Sequence, residues 1–238
     1  AGPNVCRAYP RKNSGAGYTA EMLPLLSGGG DKWYRPSDVA VAPDGSLFIA
    51  DWYDPGVGGH GMRDLDRGRI FRLIPEGHEG YKIPKPNVKS LSGAIEALKS
   101  PNFEMRYLAW NSLHSMGSGK TEGPLLKMME SKDTVHRARA AWCLGKMPKM
   151  GKVIIEKLKN DKNSELRIVA IRLARQLKLD VVQLVTQLAK DKNPQVRREC
   201  AIALREMDAQ SAASIWADLA LQHDGSDRWY LEALGIAA

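Results

Sequence analysis

The chain changes its hydrophobic rhythm near residue 90. Before that point apolar residues come in short runs broken by glycine and proline; beyond it they recur every three to four positions. The second rhythm is that of helices with one buried face. It also repeats. Asn102, Asp133, Asn163, Asn193 and Asp224 are spaced 31, 30, 30 and 31 residues apart. Four residues after each comes Arg106, Arg137, Arg167, Arg197 and Arg228. Three further on are Ala109, Ala140, Ala170, Cys200 and Leu231, and four beyond those Leu113, Leu144, Ala174, Leu204 and Gly235. Asn and Asp cap helices by accepting a bond from an orphan N–H. Pro194 sits where a first helical residue has no use for its N–H. The small residue lets helices approach closely, and the Leu one turn later shares its face. A helical stretch precedes each cap, at 91–100, 123–131, 152–160, 181–190 and 212–222. The pattern predicts five two-helix units stacked as an α-solenoid over 91–238, the last breaking the pattern at Leu231 and Gly235 as a terminal or interrupted repeat would.

The first rhythm predicts short strands. Val5 to Tyr9 is one, and Tyr18 to Leu26 is partly extended. Val39–Ala42 and Leu47–Ala50 flank the turn sequence Pro43-Asp44-Gly45-Ser46, a hairpin signal. Arg69 to Ile74 is a last strand whose two faces are both largely apolar, as in a strand covered on both sides. Three or four such strands look like one blade of a larger sheet structure, with little core of its own. Ile83-Pro84-Lys85-Pro86-Asn87 reads as an extended connector. The expected organisation is therefore a blade-like segment at 1–82, a linker at 83–90 and the solenoid at 91–238.

Composition narrows the classes. Hydrophobic residues at 43% and charged residues at 26% fit an ordinary globular chain and exclude a disordered or collagenous one. No apolar run is long enough for a transmembrane helix, and no basic-then-apolar leader opens the chain. It begins Ala1-Gly2-Pro3-Asn4, as a processed or excised piece would. The net charge of +8 is spread out, without a run of five like charges, which is weak ground for a nucleic-acid partner. Cys6, Cys143 and Cys200 form no CxxC pair, so neither a zinc site, a disulfide framework nor a CxxCH haem attachment is expected.

A unit of this length with a capped second helix and an Arg in its first turn resembles a HEAT repeat, and is similar to the shorter HEAT-like repeats of bilin lyases. The segment Trp33 to His60, reading WYRPSDVAVAPDGSLFIADWYDPGVGGH, closely resembles a motif of the "membrane-bound dehydrogenase"-type proteins abundant in planctomycetes. Asp66 to Arg72 and Ala1 to Val5 extend that resemblance. It implies a β-propeller similar to quinoprotein glucose and sorbosone dehydrogenases, then HEAT repeats, then a c-type cytochrome domain. On that basis the chain is the final propeller blade plus the solenoid. Its partners would be the missing blades, the cytochrome domain and other proteins of a larger complex. Haem c, and a quinone with calcium, would belong to the parent protein, which would be periplasmic or secreted and oxidise a sugar or alcohol.

The candidate chemistry lies in two places. The loop from Asp51 to Asp66 carries Asp51, Asp54, His60, Asp64 and Asp66 among glycines. Its carboxylates can bind a hard cation or a substrate, and His60 can serve as a general base. Alternatively Asp51 and Asp54 satisfy backbone N–H groups in turns and pair with Arg67 or Arg69. Trp33, Tyr34, Trp52 and Tyr53 either pack at the blade edges or stack on a substrate. The ladder Arg106, Arg137, Arg167, Arg197 and Arg228 is either structural, bonding carbonyls or caps of an adjacent repeat, or lines a groove for an acidic protein or for nucleic acid. Cys143, Cys200, Met128, Met129, Met147 and Met150 read as core filler, and His114, His136 and His223 as surface or cap residues. Gly117–Thr121 reads as an inter-helix loop, not a phosphate loop. Three functions stay open: part of an oxidoreductase, a protein-interaction scaffold, or a basic helical-repeat nucleic-acid binder.

Overall fold

The computed structural model describes residues 4–53, 66–78 and 82–238. Ten helices follow seven strands in the described residues. The helices pair as α1 (Leu91–Lys99) with α2 (Phe103–Met116), α3 (Ser118–Met128) with α4 (Thr134–Gly145), and α5 (Met150–Lys159) with α6 (Ser164–Gln176). The series continues with α7 (Val182–Leu188) and α8 (Pro194–Leu204), then α9 (Ala209–Ala220) and α10 (Arg228–Ala237). The five-unit solenoid expected from the spacing is present. No helix among the described residues is long and apolar enough to cross a membrane.

Asn102, Asp133, Asn163 and Asn193 cap α2, α4, α6 and α8 through their side chains, as their positions predict. The small residues two turns on (Ala109, Ala140, Ala170 and Cys200) and the residues three turns on (Leu113, Leu144, Ala174 and Leu204) are buried in every one of these helices and form one continuous core with the facing helices. The fifth unit departs from the alignment. Asp224 closes a turn instead, its Oδ1 accepting from the N–H groups of Ser226 and Asp227, with Gly225 at φ +84°. Asp227 is the true cap of α10, three residues later. Tyr230, Ala233 and Leu234 therefore face the core, and Leu231 faces solvent. The second unit's first helix starts early: α3 begins at Ser118, so Gly117–Thr121 is a helix start rather than a loop, and buried Thr121 bonds Gly117 O at 2.9 Å and Met147 Sδ at 3.2 Å.

The N-terminal segment holds three small antiparallel sheets where one blade is expected. β1 (Val5–Ala8) pairs with β4 (Leu23–Ser27), and β2 (Arg11–Ser14) with β3 (Gly17–Ala20). β5 (Pro36–Val41), β6 (Leu47–Asp51) and β7 (Arg69–Leu73) form the third in that order. One face of this sheet covers Ile49, Tyr34 and Phe71, the last two meeting edge to face at 5.8 Å. The other face is open: Ile70 is 74% exposed, so the two-sided burial expected of this strand is met on one side only.

Both ends of the segment grip the solenoid. At the first unit the Asn102 amide donates to Val41 O at 2.7 Å while its Oδ1 caps α2. At the last units the tip of the β2–β3 hairpin is held by three bonds. Arg198 donates to Ala16 O at 2.6 Å, Gln195 donates to Gly17 O at 2.7 Å, and Asp227 Oδ2 accepts from Ala16 N–H at 2.6 Å. Tyr18 adds an edge contact with Trp229, ring centroids 6.2 Å apart. Gly17 is required because a Cβ there would overlap the Trp229 ring.

Gly17→Val is therefore expected to lift the hairpin without unfolding the helices. Overpacking of this kind costs about 1–3 kcal/mol, so trypsin cleavage after Arg11 and Lys12 should rise about tenfold while far-ultraviolet circular dichroism is unchanged. Unaltered cleavage would mean that the hairpin is not held by this seat.

Candidate functional site

Of the loop residues singled out by sequence, His60, Asp54 and Asp64 lie outside the described residues. Asp66 is exposed at the start of the return to β7. Asp51 has a buried side chain with both oxygens committed. Its Oδ1 accepts from the N–H groups of Arg35 at 2.7 Å and Tyr53 at 3.0 Å, and its Oδ2 pairs with Arg69 Nη2 at 2.6 Å. Arg69 also pairs with Asp31 at 2.8 Å, and the bond from this guanidinium holds the Asp31 carboxyl below its ordinary range. The guanidinium lies over the rings of Tyr53 at 4.6 Å and Phe71 at 5.2 Å. Such a carboxylate has no lone pair in reserve for a hard cation, and the structural alternative describes Asp51. Among the described residues no group of three or more His, Cys, Asp or Glu is placed to hold a metal. Tyr34 is buried against this cluster with no partner for its hydroxyl among the described residues, and burial pushes its pKa up. Trp33 packs edge-on to Tyr53 at 5.7 Å, and Trp52 is exposed.

The arginine ladder is structural in its geometry over four of its five rungs. Arg106 donates to the carbonyls of Ser100 and Pro101 at 3.0 and 2.5 Å. Arg167 does the same to Asp161 and Lys162 at 2.7 and 3.2 Å, and Arg197 to Asp191 and Lys192 at 2.7 and 3.2 Å. In each the guanidinium closes the turn just before its own cap, where helix-end carbonyls lack partners. Two rungs also reach forward into the next unit. Arg137 pairs with Asp161, and Arg167 forks onto both oxygens of Asp191 at 2.6 and 2.8 Å. Each of those acids in turn accepts from the cap N–H two residues on, at 2.8 Å. The acceptor across the repeat is thus the Asp two residues before the cap, not the cap itself. Arg228 is no rung. With the cap at Asp227 it is the first residue of α10, its side chain 86% exposed and near Glu232 at 3.3 Å.

A second set of residues lies five and nine positions after the caps. Tyr107 and Asn111 on α2, Trp142 on α4, Arg172 on α6, and Arg198 and Ile202 on α8 form one stripe along the second helices. Its C-terminal part is occupied by the hairpin, whose Arg11 and Tyr18 share a surface with Arg172, Arg198 and Ile202. Arg198 lies over the Tyr18 ring at 5.6 Å. In the middle, Arg172 pairs with Glu199 at 2.7 Å and Arg175 with Glu206 at 2.6 Å. At the N-terminal end the stripe opens into a groove of about 380 Å³, floored by Leu98, Trp110 and Trp142. The spacing of Phe103, Tyr107 and Trp110 along one face of α2 is readable in sequence, but nothing in the repeat alignment marked it.

The remaining titratable groups are structural. Burial pushes the Cys143 thiol up to about 12, and that of Cys200 further up, which leaves both as unreactive thiols. Met128, Met129, Met147 and Met150 are buried, as expected of filler. His114 is not a surface residue: it stacks on Trp110 at 4.7 Å, and its Nε2 lies 3.1 Å from Cys143 O. Burial lowers its pKa, which favours a neutral ring donating to that carbonyl.

Residues 151–235, which span the third to fifth units, match the family model of HEAT repeats. No curated protein matches the chain. The repeat region is a HEAT-type α-solenoid.

The Arg167–Asp191 fork, nearly buried on both sides, sets an acid-stability expectation. Burial raises the Asp191 carboxyl, but bonds from Arg167 and the Asn193 N–H outweigh it and hold it below its ordinary 3.8. A depressed folded pKa means that the pair's contribution is complete above that value and is lost as pH falls through the folded one. Asp191→Asn should therefore cost about 3 kcal/mol in urea unfolding at about pH 7, because it strands a buried guanidinium. The gap to the parent protein should narrow toward about pH 3. An equal gap at both pH values would show that the pair does not titrate with folding.

Proposed function

We propose that the chain is a protein-interaction scaffold whose working surface is the stripe along the second helices. The observation that supports it most directly is the hairpin: this chain already seats an extended segment of its own there, through bonds from Arg198 and Gln195 to its carbonyls and an aromatic contact. Helical repeats present such extended surfaces by construction. A nucleic-acid role finds less support, because the cations in the middle of the stripe are paired with Glu199 and Glu206 and do not track a backbone.

A photo-crosslinking residue placed at Asn111 or Glu232, on the stripe, should capture partner proteins in a lysate of the native host. The same residue at Lys127 or Gln187, on the first helices, should capture few. Equal capture from both sides would sink the reading.

The open face of the β5–β7 sheet favours a second reading, carried by the resemblance to the dehydrogenase-type proteins. Ile70 and Ile74 are exposed, and β5 and β7 are both edge strands, as for a sheet that stacks against further sheets. On this reading the solenoid would hold a propeller against a cytochrome in the periplasm. Among the described residues Asp51 does not fit a calcium site, so no catalytic step is assigned to this chain. An optical spectrum and metal analysis of the native protein, oxidised and reduced, checks it. A c-type haem band is expected, and a blank spectrum from undegraded protein removes it.

A further inference from the structure

Among the described residues the cations of the groove between α2 and α4 are in no ion pair. Arg106 and Arg139 face it, and Lys146 lies over the Trp142 ring at 5.7 Å. Arg106 bonds only the carbonyls of Ser100 and Pro101 and lies over the Phe103 ring at 5.5 Å. Arg139 bonds the carbonyls of Leu98, Lys99 and Ser100 at 3.3, 2.7 and 3.0 Å. Among the described residues none of the three is in an ion pair. The nearby acids are engaged elsewhere: Glu104 accepts from the Asn102 amide, and Asp133 caps α4. Arg139 is lowered first by burial and then by the repulsion of Arg106, against a smaller opposing effect of Asp133, so two guanidiniums share this site. Beside them Phe103 is 67% and Tyr107 60% exposed, although aromatic side chains of this size are ordinarily covered.

Farther along the same stripe the chain shows how its cations are satisfied. Either a carboxylate meets them, as Glu199 meets Arg172, or an extended segment lays its carbonyls and an aromatic ring across them, as the hairpin does at Arg198. At α2 and α4 neither is present. We infer that this groove binds an acidic, extended segment of a partner protein, with an apolar or aromatic side chain entering between Tyr107 and Trp142 and carboxylates meeting Arg106, Arg139 and Lys146. The inference rests on the scaffold reading and adds to it the chemistry of the partner. A peptide is favoured over a nucleic acid because the cations are clustered, not strung along a track. Their guanidiniums are also already partly spent on carbonyls, and a space of about 380 Å³ suits a few side chains.

The test uses the full chain and fluorescence anisotropy with three labelled probes. They are an acidic octapeptide with one central phenylalanine, the same peptide with lysine in place of each acid, and an eight-nucleotide oligothymidylate. The acidic peptide should bind, more weakly as salt rises, and the lysine peptide should not. Tyr107→Ala and Trp142→Ala should each weaken binding about tenfold, as truncation of an aromatic anchor does. Lys146→Glu should do likewise, and Lys127→Glu, on the first-helix side, should leave it unchanged. Tyr107 is exposed, so its variant isolates the contact from folding. Absence of binding, tighter binding of the oligothymidylate, or equal losses with Lys127→Glu and Lys146→Glu would overturn the inference. If the acidic peptide binds but ignores Tyr107→Ala and Trp142→Ala, this groove is excluded while crosslinking from Asn111 and Glu232 still decides the scaffold reading.

Discussion

The residue that caps each second helix is the fixed point from which the rest of the molecule is hung. A helix start leaves N–H groups that must be satisfied, and the turn before it leaves carbonyls in the same state. In this chain one cluster meets both needs. Asn163 and Asn193 accept from the first turn of their helices, while Arg167 and Arg197 return from that turn to the carbonyls before the cap. Stacking places the next unit's turn alongside, within reach of a guanidinium, so the same Arg can also take an acid from the neighbour. Arg137 with Asp161 and Arg167 with Asp191 are those links. The local requirement of capping thereby becomes the bond between units.

The first and last caps extend the same device to the N-terminal segment. Asn102 and Asp227 each spend one polar atom on their own helix and the other on the N-terminal segment, at Val41 of β5 and at Ala16 in the β2–β3 turn. A solenoid is otherwise quasi-one-dimensional, and its end units are held on one side only. Here α10 is held on its second side by a hairpin whose tip lies 211 residues earlier in the chain. The three-residue displacement of the last cap, from Asp224 to Asp227, is what puts that second carboxylate oxygen against Ala16. The irregular fifth unit is therefore a unit shaped to receive the hairpin.

Legibility in the sequence follows how local each cause is. The caps, the small position and the ladder arginines answer to residues within one turn, and four of the five units can be read directly. The β5–β6 hairpin is equally local. β2 is different: Arg11-Lys12-Asn13-Ser14 has no apolar alternation, and its reason for being extended is Arg198 and Gln195, far along the chain. Asp224 misleads because its side chain does bond the following N–H groups, but in a turn with Gly225. Asp161 and Asp191 were readable in principle, since Asp-Lys-Asn precedes two successive helices, but only the stacked units give the first Asp its distant partner. For the candidate chemistry, a cluster of acids near an arginine does not say whether the acids are spent. Asp51 is spent, on two N–H groups and Arg69.

The same distinction decides where charge carries information in this protein. A net charge of +8 distributed over many lysines describes solubility and long-range attraction, and it does not by itself mark a surface. A charge becomes specific when it is partly removed from water and its partner is fixed. Along the stripe the paired cations Arg172 and Arg175 meet both conditions within the chain, so they stiffen the scaffold and have little left to offer outside it. Arg198 meets them with the hairpin. Arg106 and Arg139 are partly removed from water, held in place by carbonyls, and flanked by aromatic rings, yet among the described residues no carboxylate forms an ion pair with them. Preorganised donors of this kind lose little entropy when an anion arrives, whereas a solvated lysine must first be ordered. The sequence counts all of these cations alike; burial and pairing sort them into those bound to a carboxylate within the solenoid and those that meet only carbonyls and rings.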